Sequence, residues 1–278
     1  MTRLQESAAR SRLLWLDYTD YAAALLAGGQ PPWLDTAACV AWLRKAQSLL
    51  RSDVVTLAMG AVASAWLDAH PALLEAMAAK KRRAAGPLRV LLADEGLRIQ
   101  LVDLALALRA AFAQPPLVLV APSPRQWVGW AGARCNTGDA PEIDDDAVDS
   151  AAAYMADFLR VFSQCGIDAV LLEETASTTP TTSAAVQLYQ PLYNLAAHYR
   201  WDIGLRLEEA QAYPAAADGP GFVISPPGPT AALTGLTLPA DCWNGRPAPE
   251  SPPGAFRFAT IPADAQPEAV LARLAAWR

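Results

Sequence analysis

Carboxylates that end short apolar runs are the residues of this sequence best placed to do chemistry. Residues 169–172 lead directly into Glu173 and Glu174, and residues 203–207 lead into Glu208. A positioned carboxylate can act as a general acid or base, or accept hydrogen bonds from a substrate. Because adjacent side chains of a strand point to opposite faces, only one of Glu173 and Glu174 can face a given site. The pattern therefore predicts one site-facing carboxylate in this pair.

Two arginines lie close to the same predicted strand ends. Arg125 follows the apolar run 117–120, and Arg206 lies within the run 203–207. A guanidinium binds a carboxylate through two parallel hydrogen bonds, so both are candidates to hold an acidic group of a substrate. A structural role is the alternative for each arginine. Arg206 could form an ion pair with Glu174 within the protein, and Arg125 could be a surface residue at a helix start.

Metal ligands do not converge anywhere in the sequence. Glu208 and Glu209 offer hard oxygen atoms for Mg²⁺ or Mn²⁺, but a third ligand is not visible. His70 and His198 fall on predicted helices and are interpreted as structural. Cys242 follows a predicted turn and is the one thiol for which a functional role stays open. The sequence thus predicts no metal site.

The stretch 149–174 indicates how the carboxylates are positioned. Its apolar residues recur at spacings of three and four, which predicts an amphipathic helix capped by Asp149 or Ser150. Gly166 supplies the left-handed residue at which helices often end, and the apolar run after it is typical of a parallel strand buried on both faces. In a (β/α)8 barrel, the carboxyl end of such a strand is where active sites form.

Helix-to-strand units of this kind recur along the chain. Strands are predicted at residues 54–58, 117–120, 169–172, 203–207, 222–225, 233–238 and 256–261. With residues 32–35 as the first, eight strands predict an α/β fold, a (β/α)8 TIM barrel. We expect a single domain over residues 1–278, in which residues 1–29 form an N-terminal helical extension. Prolines crowd residues 219–254, so the crossovers there should be short and irregular.

Three further residues become site candidates within this barrel. Asp35 would end the first strand, which makes it a second catalytic candidate beside Glu174. Trp33 and Trp243 are expected to line the mouth of the barrel and to favour an apolar or aromatic ligand.

The run 88–92 is ambiguous between strand and helix, because a short apolar run has no decisive period.

Composition restricts the class of partner. The chain has 278 residues, 53% of them hydrophobic and 18% charged, with a formal net charge of −6. Nucleic-acid binding requires a basic surface, and the one basic run, residues 80–83, is interpreted as a solvated helix end, with anion binding as the alternative. No segment approaches the ~18 apolar residues of a membrane span. We expect a cytoplasmic protein with neither a nucleic-acid nor a membrane partner.

Four segments resemble the uroporphyrinogen decarboxylase family, whose barrel is shared with corrinoid-linked methyltransferases and more distantly with cobalamin-independent methionine synthase. They are residues 114–122 (QPPLVLVAP), 164–174 (QCGIDAVLLEE), 233–239 (LTGLTLP) and 261–270 (IPADAQPEAV). The likeness spans roughly residues 30–277. It implies a TIM barrel in which an acidic residue at the position of Glu174 faces the mouth.

The chain departs from this family where the family does its chemistry. Residues 258–260 read Phe-Ala-Thr where the decarboxylases have a histidine and the methyltransferases a zinc-binding cysteine. The methyltransferases' His-x-Cys ligands would fall near residues 207–210, which contain neither type. Residues 33–37 replace the arginine-rich loop that grips the porphyrin carboxylates. A zinc thiolate site needs soft ligands, and a polyanionic tetrapyrrole needs several guanidiniums.

Two functions remain open. The first is a methyltransferase or decarboxylase acting on a small organic substrate, with no cofactor evident and a corrinoid protein as the partner implied by the resemblance. The second is a catalytically degenerate barrel that binds or assembles with a partner, a second copy in a homodimer included. The carboxylates at the strand ends favour the enzyme, and the missing zinc and histidine residues favour the binding protein. We expect the enzyme.

Overall fold

Strands and helices alternate along most of the chain. The computed structural model describes residues 3–10, 13–135, 142–174, 182–208, 219–226, 234–250 and 254–278. The strands are β1 (Leu14–Asp17), β2 (Val55–Ala58), β3 (Leu117–Pro122), β4 (Ala169–Glu174), β5 (Asp202–Leu207), β6 (Phe222–Ser225), β7 (Thr234–Thr237) and β8 (Phe256–Thr260). The helices are α1 (Arg3–Arg10), α2 (Thr19–Ala27), α3 (Thr36–Leu50), α4 (Met59–Ala69), α5 (Pro71–Ala78), α6 (Gly86–Leu92), α7 (Glu95–Ala111), α8 (Pro124–Cys135), α9 (Asp145–Leu159), α10 (Ser183–Gln187), α11 (Gln190–Tyr199) and α12 (Pro267–Trp277).

The eight strands form one curled parallel sheet. They pair in the order β1-β8-β7-β6-β5-β4-β3-β2, and every pair is parallel. The predicted α/β class and the eight parallel strands are thereby confirmed. The sheet resembles a TIM barrel, but it is not closed, because β1 and β2 do not pair as strands within the described chain.

Side chains bridge the seam between β1 and β2. The amide of Leu14 donates to Oδ2 of Asp53 at 2.7 Å, and the amide of Leu16 donates to Oγ of Ser52 at 3.0 Å. One backbone bond, from the amide of Asp53 to the carbonyl of Leu14, joins them at 3.1 Å. Polar side chains ahead of β2 thus replace the ladder that would close a regular barrel, since buried amides require acceptors.

The predicted first strand is wrong. Residues 33 and 34 form a turn, and Asp35 follows it as the cap of α3. The first strand is β1, which lies inside residues 1–29, the segment predicted to be a helical extension. The ambiguous run 88–92 belongs to α6.

The unit that leads into β4 follows the prediction closely. Its helix α9 begins at least five residues earlier than expected, because the side chain of Asp144, and not that of Asp149 or Ser150, caps it by accepting from the amide of Ala147 at 2.8 Å. Gly166 has a φ of 64°, the left-handed conformation predicted for it. In the described parts of 219–254 the helical structure is a single short 3-10 turn, Ala240–Cys242, as the prolines predict.

Aromatic side chains fill the interior of the sheet. The ring centroids of Phe222, Phe256 and Phe258 lie 6.2, 6.1 and 5.8 Å from that of Trp15. Gly204 faces these rings, and a larger residue would not fit there, since a Cβ on Gly204 would lie 2.1 Å from the ring of Phe222. Large and small residues therefore alternate around the interior, and the aromatic layer forms a solid floor beneath the carboxyl ends of the strands.

The connection from β2 to β3 is longer than a regular unit. It contains four helices, α4 to α7, where one is usual. Helix α6 packs against both α8 and α9, so the additional helices thicken the outer layer on this side. None of the helices in the described ranges has the length and apolar character needed to cross a membrane.

Candidate functional site

A cavity of about 270 Å³ opens at the carboxyl ends of the strands. We call it the mouth. Its floor includes Trp15 and Phe258 from the aromatic layer, and its polar lining includes Asp17, Glu173 and Arg206. This is the end of the sheet at which barrel enzymes build their active sites.

Arg206 spans the mouth from β5 towards β1 and β8. Its Nη1 donates to Oε1 of Glu173 at 2.7 Å and to Oδ2 of Asp17 at 3.2 Å, and its Nη2 donates to Oγ1 of Thr260 at 3.0 Å. The guanidinium also lies over the ring of Phe258, 4.7 Å from its centroid. One side chain therefore connects four strands, and two carboxylates share its charge. Arg206 therefore borders the mouth, and its role in binding a substrate stays a prediction.

Glu173, and not Glu174, turns its carboxylate into the mouth. On β4, Leu171 belongs to the interior cluster with Trp15, and Leu172 packs in the outer layer against the helices. Alternation along the strand places Glu173 on the side of Leu171. Our expectation that Glu174 projects into the mouth is wrong, because the resemblance does not fix which face of β4 is inside.

Burial raises the pKa of Glu173 above its ordinary value. The nearby charge of Arg206 opposes this shift, while the carboxylates of Asp17 and Glu208 add to it. The side chain is 29% exposed, so the carboxylate is partly desolvated and still accessible from the mouth. A carboxylate with a raised pKa exchanges a proton more readily near neutral pH than an ordinary one, as a general acid or base must.

Glu174 belongs to a buried polar cluster behind the sheet. It borders the mouth, but its side chain accepts a short hydrogen bond from the hydroxyl of Tyr189, and Ser123 and Gln126 also bond to it. Only 4% of the residue is exposed. Burial raises the pKa of Glu174, and these hydrogen bonds oppose the shift. Because every contact is internal, Glu174 ties β4 to the start of α8 and to Tyr189.

Three other candidates lie outside the mouth. Asp35 caps α3 by accepting from the amide of Ala38 at 2.9 Å. Trp33 packs edge-on against Trp42 in the outer layer, with centroids 5.2 Å apart. Trp243 donates from Nε1 to the carbonyl oxygen of Thr260 at 2.9 Å and is 7% exposed. We expected these three residues at the mouth, and this is wrong for Asp35, Trp33 and Trp243. Their side chains instead cap a helix or pack against other parts of the protein.

The two remaining candidates, Arg125 and Glu208, differ in whether they border the mouth. Arg125 stabilises the start of α9: its guanidinium donates to the carbonyl of Ile143 at 3.1 Å and pairs with Asp145 at 3.3 Å. Among the described residues that border the mouth, Arg125 is absent. It instead makes a surface contact at a helix start, which is the alternative role that the sequence allowed. Glu208 does border the mouth, on the exposed rim, as predicted.

Asp17 is the site residue that the sequence reading missed. It pairs with Arg206 and accepts from the hydroxyl of Thr260 at 3.3 Å. A signal was present, since residues 14–17 read Leu-Trp-Leu-Asp, an apolar run ending in a carboxylate as β4 does. The sequence pattern instead predicts a helical extension over residues 1–29, which leaves Asp17 out of the predicted strand ends.

Negative charge dominates the mouth. Four carboxylates border it in addition to the turned-away Glu174, and the described residues supply one cation, Arg206. The four are Asp17, Asp20, Glu173 and Glu208. Within the described part of the chain, no set of three or more His, Cys, Asp or Glu residues is arranged to hold a metal ion. The lining suits small neutral or cationic molecules better than polyanions, because like charges repel in a partly desolvated cavity.

Comparisons of the chain with family models, with curated proteins and with solved structures find no match. The resemblance to the uroporphyrinogen decarboxylase family therefore continues to depend on the four sequence segments.

Proposed function

We propose that this chain is a divergent enzyme of the uroporphyrinogen decarboxylase-like barrels that methylates a small neutral or cationic acceptor at the mouth. The observation that carries the proposal is the pairing of Glu173 with Arg206 in a small acidic cavity. Glu173 would act as the proton-transfer group, and Arg206 would hold its carboxylate in place.

The size and charge of the mouth support this substrate class. A volume of about 270 Å³ lies at the lower end of ligand cavities and is too small for a tetrapyrrole. The single guanidinium is already paired with Asp17 and Glu173, so an acidic substrate would meet uncompensated carboxylates. This charge balance favours methylation of an amine or hydroxyl group over decarboxylation of a carboxylic acid.

Glu173 would take the acceptor's proton. The acceptor's proton would pass to the Glu173 carboxylate, before the transfer where the acceptor is a protonated amine, and a lone pair on the acceptor's nitrogen or oxygen would form the new bond to the methyl group. The donor's bond to that methyl group would break, and its electron pair would stay on the donor. The raised pKa of Glu173 makes it a better base than an ordinary carboxylate. The positions matched to zinc ligands include Leu207 and Ala259, so these residues do not fit zinc, and the proposal has no step through it. A corrinoid protein would be the methyl donor implied by the resemblance.

A second candidate function has one specific observation in its favour. Both terminal nitrogens of Arg206 already have partners within the protein, in Asp17, Glu173 and Thr260. A cation satisfied in this way could simply hold the strands together. The barrel would then bind or assemble with a partner without doing chemistry.

Untargeted mass spectrometry tests the proposal. A protein-free cell extract supplemented with methylcobalamin is incubated with the wild-type chain, with Glu173→Gln and with Glu174→Gln. We expect the wild type and Glu174→Gln to form a product one methylene heavier than a consumed compound, and Glu173→Gln to form it at least ~10-fold more slowly, a loss of about 1.4 kcal/mol. A product lighter by carbon dioxide would identify a decarboxylase. Absence of any conversion, with folded protein, would contradict the enzyme and favour the binding protein.

A further inference from the structure

A second and larger cavity lies in the helical layer outside the sheet. Its volume is about 1200 Å³, and none of its described lining residues borders the mouth. The extra helices of the β2–β3 connection take part in it, because its lining includes the turn between α5 and α6 as well as the start of α9. We call it the outer cavity.

One wall of the outer cavity is basic. Lys80, Arg82 and Arg83 line it. Lys81 instead lies near Cys135 of α8, where burial raises the pKa of the thiol and the charges of Arg134 and Lys81 oppose that shift. The turn that carries these cations is tight, since a Cβ on Gly86 would lie 2.2 Å from the carbonyl oxygen of Lys80.

These three cations lack internal partners in the described ranges. Lys80, Arg82 and Arg83 are exposed, and none forms an ion pair with a described carboxylate. The nearby end of α5 favours basic residues in general. It does not explain why three of them line one wall of a cavity.

The start of α9 and the rest of the lining have different chemistry. Glu142 and Asp146 line the cavity beside Asp144, whose side chain is already used to cap α9, and we call them the acidic wall. The guanidinium carbon of Arg89 lies 5.7 Å from the ring centroid of Tyr154, and both residues line the cavity. The rest of the lining is largely apolar. The outer cavity thus offers cations, a stacking surface and hydrogen-bond acceptors within one volume.

We propose that the outer cavity binds a nucleotide, independently of the reaction at the mouth. Phosphate groups would lie against Lys80, Arg82 and Arg83, because guanidinium and ammonium groups are the preferred phosphate partners. The planar base would stack beside Arg89 and Tyr154. Its exocyclic amino group would donate to Glu142 or Asp146, since ionised carboxylates are hydrogen-bond acceptors.

Two features favour a nucleotide over a free inorganic anion. The volume far exceeds that of a phosphate ion, and the acidic wall would repel an anion that filled the cavity alone. A nucleotide carries both negative charge and amino donors, and the outer cavity offers both cations and carboxylates to receive them.

Isothermal titration calorimetry of the full chain tests the site with three probes: ATP, tripolyphosphate and adenosine, all in the presence of a chelator. The variants are Arg82→Gln/Arg83→Gln for the basic wall and Glu142→Gln/Asp146→Asn for the acidic wall. Arg44→Gln/Lys45→Gln on α3 is the matched control, because it removes the same two charges from an exposed surface elsewhere. All six altered residues are exposed, and circular dichroism melts check that each variant folds.

We expect saturable ATP binding that is at least 10-fold tighter than binding of tripolyphosphate or adenosine. The basic-wall variant should weaken ATP binding at least 10-fold, and the control should leave it unchanged. The acidic-wall variant should reduce the advantage of ATP over tripolyphosphate. Failure of ATP to bind, an equal loss in the control, or tripolyphosphate binding as tightly as ATP would overturn the proposal.

Discussion

Glu173 Oε1 accepts a 2.7 Å hydrogen bond from Arg206 Nη1, and the two residues are register partners on the adjacent strands β4 and β5. The next residue along β4, Glu174, has its carboxylate on the other side of the sheet, bonded to the hydroxyl of Tyr189. Two adjacent carboxylates thus have separate environments, one open to a cavity and one enclosed by protein.

Glu174→Gln should change how stability depends on pH. The pKa of Glu174 is raised above its ordinary value of 4.5, so the folded state binds a proton more tightly than the unfolded state does. The contribution of this group to stability is therefore complete below the ordinary pKa and is lost as pH rises through the folded-state pKa. The unfolding free energy of the wild type minus that of the variant should fall over this window, by at most ~1.4 kcal/mol per pH unit. Urea denaturation at a series of pH values measures this difference in unfolding free energy. A difference that is flat or rises with pH would contradict the raised pKa of Glu174.

Arg206→Met should destabilise the fold by about 1–3 kcal/mol at neutral pH, because it leaves Asp17 and Glu173 without their shared cation in a partly buried site. The loss should shrink at low pH, where Glu173, whose pKa is raised by burial, takes up a proton. Arg246→Met is the control, since its ion pair with Asp241 is on the exposed surface and its removal should have little effect. Chemical denaturation at two pH values compares them. Equal small losses in both variants would show that the mouth cluster does not support the sheet.

Gly204→Ala should destabilise the protein by about 1–3 kcal/mol, because the added methyl group would collide with the ring of Phe222 inside the sheet. Gly132→Ala is a matched control: it lies within α8, has no neighbouring atom within 4 Å of the added Cβ, and should be neutral or stabilising. Thermal melts distinguish the two. A neutral Gly204→Ala would mean that the aromatic layer is less tightly packed than described.

Ser52→Ala tests the seam between β1 and β2. It removes the acceptor of the buried Leu16 amide, and an unsatisfied buried amide costs about 1–3 kcal/mol. Ser48→Ala removes a comparable hydroxyl from an exposed position on α3 and should cost much less. If hydrogen exchange at the Leu16 amide is equally slow in the wild type and in Ser52→Ala, the side chain does not hold the seam.

The apolar strands and their order could be predicted from the sequence because they are buried on both faces. The run 169–172 and the turn at Gly166 each have one plausible conformation, and both are present. Because of the same feature, the sequence does not show on which face of the sheet Glu173 and Glu174 each lie. Where every residue of a strand is apolar, alternation does not reveal which side is the interior, and only the neighbouring strands decide it.

The first strand could not be recognised in the same way. Residues 14–17 are only four in number and lie between two helical segments, so the local pattern resembles a helix as much as a strand. Their place is set by long-range pairing with β8, in which Asp17 lies beside Thr260. The mouth combines residues from β1, β4, β5 and β8, and this combination is a property of the sheet and not of any single segment.

The central claim is that Glu173 is a partly desolvated carboxylate available for proton exchange at the mouth. Carbon-13 NMR of protein labelled at the glutamate side-chain carboxyl carbon tests it directly, with Glu173→Gln to assign the resonance. We predict that Glu173 titrates above its ordinary pKa of 4.5, and that Arg206→Met, by removing the opposing charge, raises this pKa further. A Glu173 resonance that titrates at or below 4.5 and does not respond to Arg206→Met would contradict the claim.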